Sequence, residues 1–216
     1  MADRIHSYTS DDIEVRYELK RCIHAAECVR RLPRAFNPER RPWVDPEASE
    51  PDRIAETITH CPTGALHFVR RDDGPEEQPD STNSVSVDPD GPLYVRGDIV
   101  VMDESGETIV EDVRVALCRC GLSSNKPFCD RAHVDGGFAD QGTLGEGGLK
   151  SSSALPPDRL EVAPSKNGPF VIRGKFRLRG SDGEEREGDV AAFCRCGHSS
   201  NKPFCDGTHR KVDFRS

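Results

Sequence analysis

The chain has few aromatic residues and little apolar character. Aromatic side chains make up 6% of the 216 residues, with a single Trp, and hydrophobic residues make up 34%. So small a supply of apolar surface argues against one large core. We expect small units that draw part of their stability from bound metal or cofactors.

Several functional classes leave no trace in the sequence. No apolar run approaches the roughly 20 residues that a membrane helix needs, and the N-terminus lacks the basic-then-apolar form of a signal peptide. The net charge is −8, and no basic stretch indicates nucleic-acid binding. Nucleophile elbows, phosphate loops and paired catalytic motifs are also missing. We therefore expect a cytoplasmic protein that is not an enzyme and has no membrane or nucleic-acid partner.

Cysteine, by contrast, is plentiful, and six of the nine cysteines lie in a motif that occurs twice. The copies read CRCGLSSNKPFCDRAH over 118–133 and CRCGHSSNKPFCDGTH over 194–209. Each copy gathers three thiols and one imidazole, which is a complete ligand set for a metal centre. The two sets are Cys118, Cys120, Cys129 and His133, and Cys194, Cys196, Cys205 and His209. In a reducing cytoplasm such cysteines are better interpreted as metal ligands than as disulfides.

The spacing suggests how each set closes around a metal. In an extended C-x-C segment both thiols point the same way. Pro127 suits the first turn of a helix, and Cys129 and His133 would then share one helical face, with the same arrangement in the second copy. Nearby serine and lysine side chains are candidate hydrogen-bond donors to sulfur, namely Ser123, Ser199, Lys126 and Lys202. The ligand set itself allows either structural zinc or an iron–sulfur cluster.

Residues 194–209 resemble the CDGSH iron–sulfur (mitoNEET-type) signature, with Thr208 in place of its serine. The resemblance implies one [2Fe-2S] cluster in each copy, held by the three cysteines and the histidine. The first copy departs from the pattern, since Arg131 and Ala132 stand where the second has Gly207 and Thr208. Family members are homodimers with a swapped β-cap. This chain is therefore expected to be a monomer with internal pseudo-twofold symmetry.

The remaining cysteines, Cys22, Cys28 and Cys61, form a third set near the N-terminus. Their segment resembles divergent single-cluster ferredoxin domains, with Ala25 at the middle ligand position. Three thiolates imply a [3Fe-4S] cluster. A [4Fe-4S] cluster with His24 or Glu27 as the fourth ligand and a structural role without metal remain as alternatives.

The expected fold class is α+β, with a small ferredoxin-like domain followed by a duplicated, β-rich CDGSH pseudo-dimer that has a β-cap and two cluster-binding loop–helix units. Alternation at Ile13, Val15 and Tyr17 predicts a strand, and a returning strand is predicted over residues 65–70. Residues 22–31 have helical character, and a second helix is predicted over residues 51–60. The domain boundaries are a ferredoxin-like domain at 1–70, an acidic linker at 71–90, repeats at 91–140 and 161–216, and a connection at 141–160.

Three functions compete for this set of centres. The leading hypothesis is electron transfer or redox and pH sensing, with a redox protein as partner. The second is storage of [2Fe-2S] clusters and their transfer to apo iron–sulfur proteins. The third is a structural zinc adaptor.

Overall fold

The computed structural model describes residues 5–151 and 159–216. The chain divides into two compact units, Met1–Gln78 and Pro79–Ser216. Each unit has a hydrophobic core of its own, which agrees with the expectation of small units.

The first unit contains a three-stranded antiparallel sheet with strand order β1-β2-β3. Its elements are β1 (Ile5–Thr9), β2 (Ile13–Glu18), α1 (Glu27–Arg31), α2 (Pro51–Thr59) and β3 (Leu66–Arg70), with 3-10 turns at Leu19–Arg21 and Pro46–Ala48. In β2 every second side chain is buried, which is the pattern that predicted the strand. In α2, Pro51 occupies the first turn and Ile54 and Ile58 are buried one turn apart. The predicted strands and the predicted second helix are confirmed.

The predicted helical character of residues 22–31 holds only for Glu27–Arg31. His24 and Ala26 have positive φ angles of 56° and 62°. Left-handed backbone cannot continue an α-helix, so the segment from Cys22 to Ala26 is a loop.

The second unit consists mainly of strands. Its elements are β4 (Ser84–Val87), β5 (Leu93–Met102), β6 (Thr108–Leu117), α3 (Ala132–Asp135), β7 (Leu149–Lys150), β8 (Leu160–Pro164), β9 (Phe170–Arg179), β10 (Glu185–Phe193) and a 3-10 turn at Thr208–Arg210. Each repeat thus supplies three strands, a long loop that holds the motif, and a single helical turn.

The two repeats interlock through their short first strands. The strand β4 pairs antiparallel with β5 of its own repeat and parallel with β9 of the other. In the same way, β8 pairs antiparallel with β9 and parallel with β5. These four strands close into a ring, a small barrel in which each repeat lends one strand to the other. The duplication therefore forms a single pseudo-twofold body with one core.

Two of the predicted boundaries need correction. The acidic linker predicted over 71–90 includes residues 84–87, which form β4 with Val85 and Val87 buried in the barrel. Two valines inside a polar stretch are too weak a pattern to predict a strand. Likewise, the predicted connection 141–160 contains β7 and the buried Leu144, while its residues 152–158 lie outside the described part of the chain.

Strands dominate the two units and the helices are short, so the molecule is mainly β with a small barrel. The ferredoxin-like class of the first unit stays a prediction. Within residues 5–151 and 159–216, no helix combines the length and the apolar character that crossing a membrane requires.

Candidate metal centres

In each repeat the four expected ligands lie in two close pairs. In the first centre (Cys118, Cys120, Cys129 and His133) the two sulfurs of the C-x-C segment are 3.6 Å apart, and Cys129 Sγ is 3.4 Å from His133 Nδ1. The corresponding distances in the second centre (Cys194, Cys196, Cys205 and His209) are 3.7 Å and 3.4 Å. Within the described residues, no three His, Cys, Asp or Glu side chains are gathered closely enough to hold one metal ion. The ligands are therefore arranged as two pairs in each centre.

The motif folds back on the strand that precedes it, and this brings the pairs together. Cys118 follows the last residue of β6, and its N–H donates to Pro127 O at 3.0 Å. The N–H of Cys129 then donates to Ala116 O at 2.8 Å, so both ends of the loop are fixed to the end of β6. Cys194 and Cys205 make the equivalent bonds in the second repeat, each at 2.8 Å.

The predicted helical face for the second pair is wrong. Cys129 precedes α3, and Arg131, which separates it from the helix, has a φ angle of +75°. The carboxylate of Asp130 accepts hydrogen bonds from Ala132 N at 3.0 Å and Ser124 N at 2.8 Å. This aspartate therefore starts a new turn that carries the histidine back toward Cys129.

The second repeat uses the same device. Gly207 takes the left-handed position with a φ angle of +86°, and Asp206 accepts from Thr208 N at 2.9 Å and Ser200 N at 2.9 Å. In both copies an aspartate is followed by a residue with left-handed backbone. This order brings each histidine beside its cysteine.

The predicted serine and lysine donors bind the loop backbone rather than sulfur. Ser123 Oγ donates to Phe128 O at 2.7 Å, and Lys126 Nζ donates to Ser123 O at 2.6 Å. Ser199 and Lys202 repeat these bonds in the second copy, both at 2.7 Å. These side chains stabilise the shape of the loop.

Backbone N–H groups contact the sulfurs instead. Leu122 N lies 3.5 Å from Cys120 Sγ, and Arg131 N lies 3.4 Å from Cys129 Sγ. Hydrogen bonds of this kind favour the thiolate form, which is the form that binds metal. Every residue type except proline can supply such a donor, so these contacts have no signal in the sequence.

Burial makes these thiols hard to ionise without a cation. Burial raises the pKa of Cys129 to about 12 and that of Cys196 to about 11. Within the first C-x-C pair, the hydrogen bond from Cys120 lowers the pKa of Cys118 to about 6. A buried group of thiolates needs compensating positive charge, which a bound metal provides. The donor chemistry and the paired arrangement therefore both fit an iron-containing group.

The arginine between the two cysteines of each C-x-C segment has a structural role that was not predicted from the sequence. Arg119 and Arg195 are only 1% and 3% exposed. Arg119 Nε donates to Gly91 O at 2.8 Å, and Arg195 Nε donates to Gly168 O at 2.9 Å. Each arginine thus ties its motif to the Gly-Pro turn that precedes the long strand of its repeat. The repetition of both the arginine and the turn was the available signal.

The loops of the two centres contact each other. A Cβ atom added to Gly121 would lie 2.9 Å from Cys196 O, and one added to Gly197 would lie 2.5 Å from Cys120 O. Both glycines have positive φ angles, 84° and 82°. Each C-x-C segment therefore packs directly against the glycine of the other, and the two centres are neighbours.

The N-terminal centre brings Cys22, Cys28 and Cys61 to one cavity, which Tyr17 and Trp43 also line. Burial, followed by the charge of Cys61, raises the pKa of Cys28 to about 11. Thr63 Oγ1 lies 3.6 Å from Cys61 Sγ. Three thiols around a mainly apolar cavity fit a cluster bound by three cysteines.

Neither proposed fourth ligand is aimed into this cavity as a free group. His24 is exposed. Glu27 lines the cavity, but its carboxylate accepts a hydrogen bond from Arg31 Nε at 2.9 Å and also pairs with Arg30. The three cysteines are thus the only ligands that the geometry of this centre supports among the residues described.

Comparison with known proteins agrees with this geometry. The family model described as "Divergent 4Fe-4S mono-cluster" matches residues 8–71. The model described as "Iron-binding zinc finger CDGSH type" matches twice, at 90–134 and 167–210. The uncharacterized protein YjdI of Escherichia coli K12 is 34% identical over 61 residues, which are 28% of this chain and 80% of the relative. The YjdI protein of Escherichia coli O157:H7 matches to the same extent.

The fold, the paired ligands and the family matches define an iron–sulfur protein. More particularly, the chain belongs to the CDGSH-type iron-binding family, with the motif in tandem and a divergent mono-cluster domain ahead of it.

Proposed function

We propose that each CDGSH centre holds one [2Fe-2S] cluster. The observation that carries this proposal is the pairing of ligands, two sulfurs in one pair and a sulfur with an imidazole nitrogen in the other. A cluster with two irons needs two ligands on each iron, and imidazole replaces thiolate in some such clusters. A single zinc ion would need all four ligands around one point.

The role that follows is electron transfer by a cytoplasmic carrier that is not an enzyme. Bound clusters of this kind supply one-electron redox chemistry. The protein holds the thiolates with backbone N–H groups and places the two centres side by side through the contacts of Gly121 and Gly197. Proximity of two redox centres favours exchange of electrons between them and with a redox protein that docks nearby.

For the N-terminal centre we propose a [3Fe-4S] cluster on Cys22, Cys28 and Cys61. The support is that no fourth protein ligand is directed into the cavity among the described residues. The matching family is described as a 4Fe-4S one. A [4Fe-4S] cluster with a ligand from outside the protein is therefore the alternative to test.

Iron and acid-labile sulfide analysis of anaerobically purified protein, with EPR of the reduced and oxidised forms, tests all three assignments. We expect about seven irons per chain, the sum of two, two and three, on the ligand arithmetic of these cluster types. An eighth iron would favour [4Fe-4S] at the N-terminal centre. A colourless zinc protein without sulfide would contradict the proposal.

Donation of [2Fe-2S] clusters to apo-proteins is a second candidate function. It is favoured by the position of Cys205 and His209, which are half-buried and line an open cavity of about 630 Å³. Mixing the loaded protein with an apo-ferredoxin separates the two roles. Transfer of the visible absorbance to the acceptor supports donation, whereas electron exchange with both proteins keeping their clusters supports transport.

A further inference from the structure

The cavity beside the second centre is rich in basic side chains. Its volume is about 630 Å³, and its lining includes both Cys205 and His209. The charged residues that line it are Lys166, Arg210, Arg215 and Asp213. Asp213 pairs with Arg215, so the cations are in excess. A positive surface thus reaches a metal ligand of the second centre directly.

The two remaining cations are exposed and available. Within the described part of the chain, neither Lys166 nor Arg210 forms an ion pair or hydrogen bond through its side chain. Cations at the rim, rather than inside a closed pocket, suit a large partner that approaches from solvent.

The equivalent surface of the first centre has the opposite character. The first repeat has Asp88, Pro89 and Asp90 at the positions where the second repeat has Ser165, Lys166 and Asn167. Near the histidine, Val134 replaces Arg210. The only cation at these positions is Arg131, which stands in place of Gly207.

A third aspartate, Asp140, adds to the acidic character of this surface. Asp140 N donates to the carboxylate of Asp90 at 2.7 Å, and Asp90 N donates to Asp140 O at 2.8 Å. Asp140 also pairs with the buried Arg119. In the second repeat Ser216 stands in place of Asp140, and its N–H donates to the amide oxygen of Asn167 at 3.2 Å. The two surfaces therefore have similar backbone contacts but different charge, acidic beside the first centre and basic beside the second.

We propose that a partner protein docks at the second centre and not at the first. The partner presents a carboxylate-rich surface to Lys166 and Arg210. This inference rests on the proposed function, because it assigns the exchange of electrons or clusters to one of the two CDGSH centres. Opposite charges steer such an encounter and fix its orientation, while the acidic face of the first centre repels the same partner.

The test uses the cluster-loaded full chain and a fluorescein-labelled peptide made only of glutamate, with binding followed by fluorescence anisotropy at low salt. The variant Lys166→Gln/Arg210→Gln removes both rim cations. Loss of two exposed charge pairs is expected to weaken peptide binding roughly fivefold. The visible spectrum of each variant verifies that the clusters remain loaded.

The matched control is Arg173→Gln/Lys211→Gln. It changes the net charge equally at two exposed residues that do not line the cavity, and one of them directly follows Arg210. Binding close to that of the unmodified protein is expected. Equal weakening by both double variants would overturn the inference, as would retention of full binding after Lys166 and Arg210 are changed.

A third measurement decides between a protein surface and a small anion. Inorganic phosphate is added in competition, with sodium chloride of the same ionic strength as the reference. Displacement no stronger than that by sodium chloride supports an extended acidic surface, whereas selective displacement by phosphate overturns it in favour of a small anion site. Because peptide binding requires no electron or cluster to move, this result is independent of the test of the proposed function.

Discussion

At the scale of single residues, the two CDGSH centres have ligands of the same types but differ in the residues beside those ligands. Arg131 and Gly207 occupy the same left-handed position, with φ angles of 75° and 86°. Glycine adopts this conformation without a steric penalty, whereas a residue with a Cβ atom does not. The first repeat therefore keeps a strained arginine where the second has a relaxed glycine.

Exchanging these two residue types should have opposite effects on stability. Gly207→Ala should lower the free energy of unfolding by about 1 kcal/mol, because a Cβ in the left-handed region costs about that much. The substitution creates no clash, since nothing lies within 4 Å of the added atom. Arg131→Gly should raise it by roughly 0.5 kcal/mol, the relief of strain less the extra freedom of glycine in the unfolded chain. Denaturant unfolding of the loaded proteins measures both, and a change of the same sign in both variants would contradict the account.

The histidine ligand should make the second centre sensitive to acid. Imidazole binds iron only through a ring nitrogen that carries no proton, so protons compete with the metal. His209→Cys should therefore slow the loss of visible absorbance at mildly acidic pH. His198 is the control, since it lies in the same loop but is exposed. His198→Ala should leave the rate unchanged, and equal rates in all three proteins would remove this explanation.

At the scale of elements, the contact between the two C-x-C-G loops holds the centres together. Gly121→Ala would place a methyl group 2.9 Å from Cys196 O. Gly183→Ala is the matched control, because its φ angle of 87° is similar to the 84° of Gly121 but nothing lies within 4 Å of the added atom. Both variants should lose about 1 kcal/mol from backbone strain. Gly121→Ala should lose a further 1–3 kcal/mol, about the cost of overpacking.

Thermal unfolding and cluster content of the two glycine variants provide the measurement. Gly121→Ala should also load less iron, because the displaced backbone belongs to a cysteine ligand. If Gly121→Ala and Gly183→Ala behaved alike, the packing of the two loops would contribute nothing to the centres.

The elements also show what the sequence could and could not predict. Strong alternation predicted β2, and its confirmed burial pattern shows why, since Ile13, Val15 and Tyr17 all face the core. The strand β4 was missed because its burial depends on pairing with β9, which is distant in sequence. The prediction of a helix through Cys129 was wrong, because spacing alone cannot reveal that Asp130 caps a separate turn.

The ligand sets were easier to predict than their surroundings. The duplication identified the cysteine and histidine ligands directly, because the same residue types recur at the same spacing. The role of Arg119, the backbone donors to sulfur and the contact of Gly121 with the other repeat all depend on long-range folding. Such features carry no local pattern and needed the structure.

At the scale of the whole molecule, the chain combines two units whose cores share no residue. The residues of one core fall in the sequence range from Ile13 to Phe68, and those of the other in the range from Val85 to Phe204. Metal binding contributes to the folding free energy of the unit that contains the ligands. Each unit should therefore respond mainly to its own centres.

Calorimetry of the loaded protein should then show two unfolding transitions rather than one. Cys28→Ser removes a ligand of the N-terminal centre and should lower the midpoint of one transition, together with the EPR signal of that cluster. Cys196→Ser removes a ligand of the second CDGSH centre and should lower the midpoint of the other. A single transition that shifted in both variants would mean that the two units unfold as one, and that a cluster in either unit stabilises the whole chain.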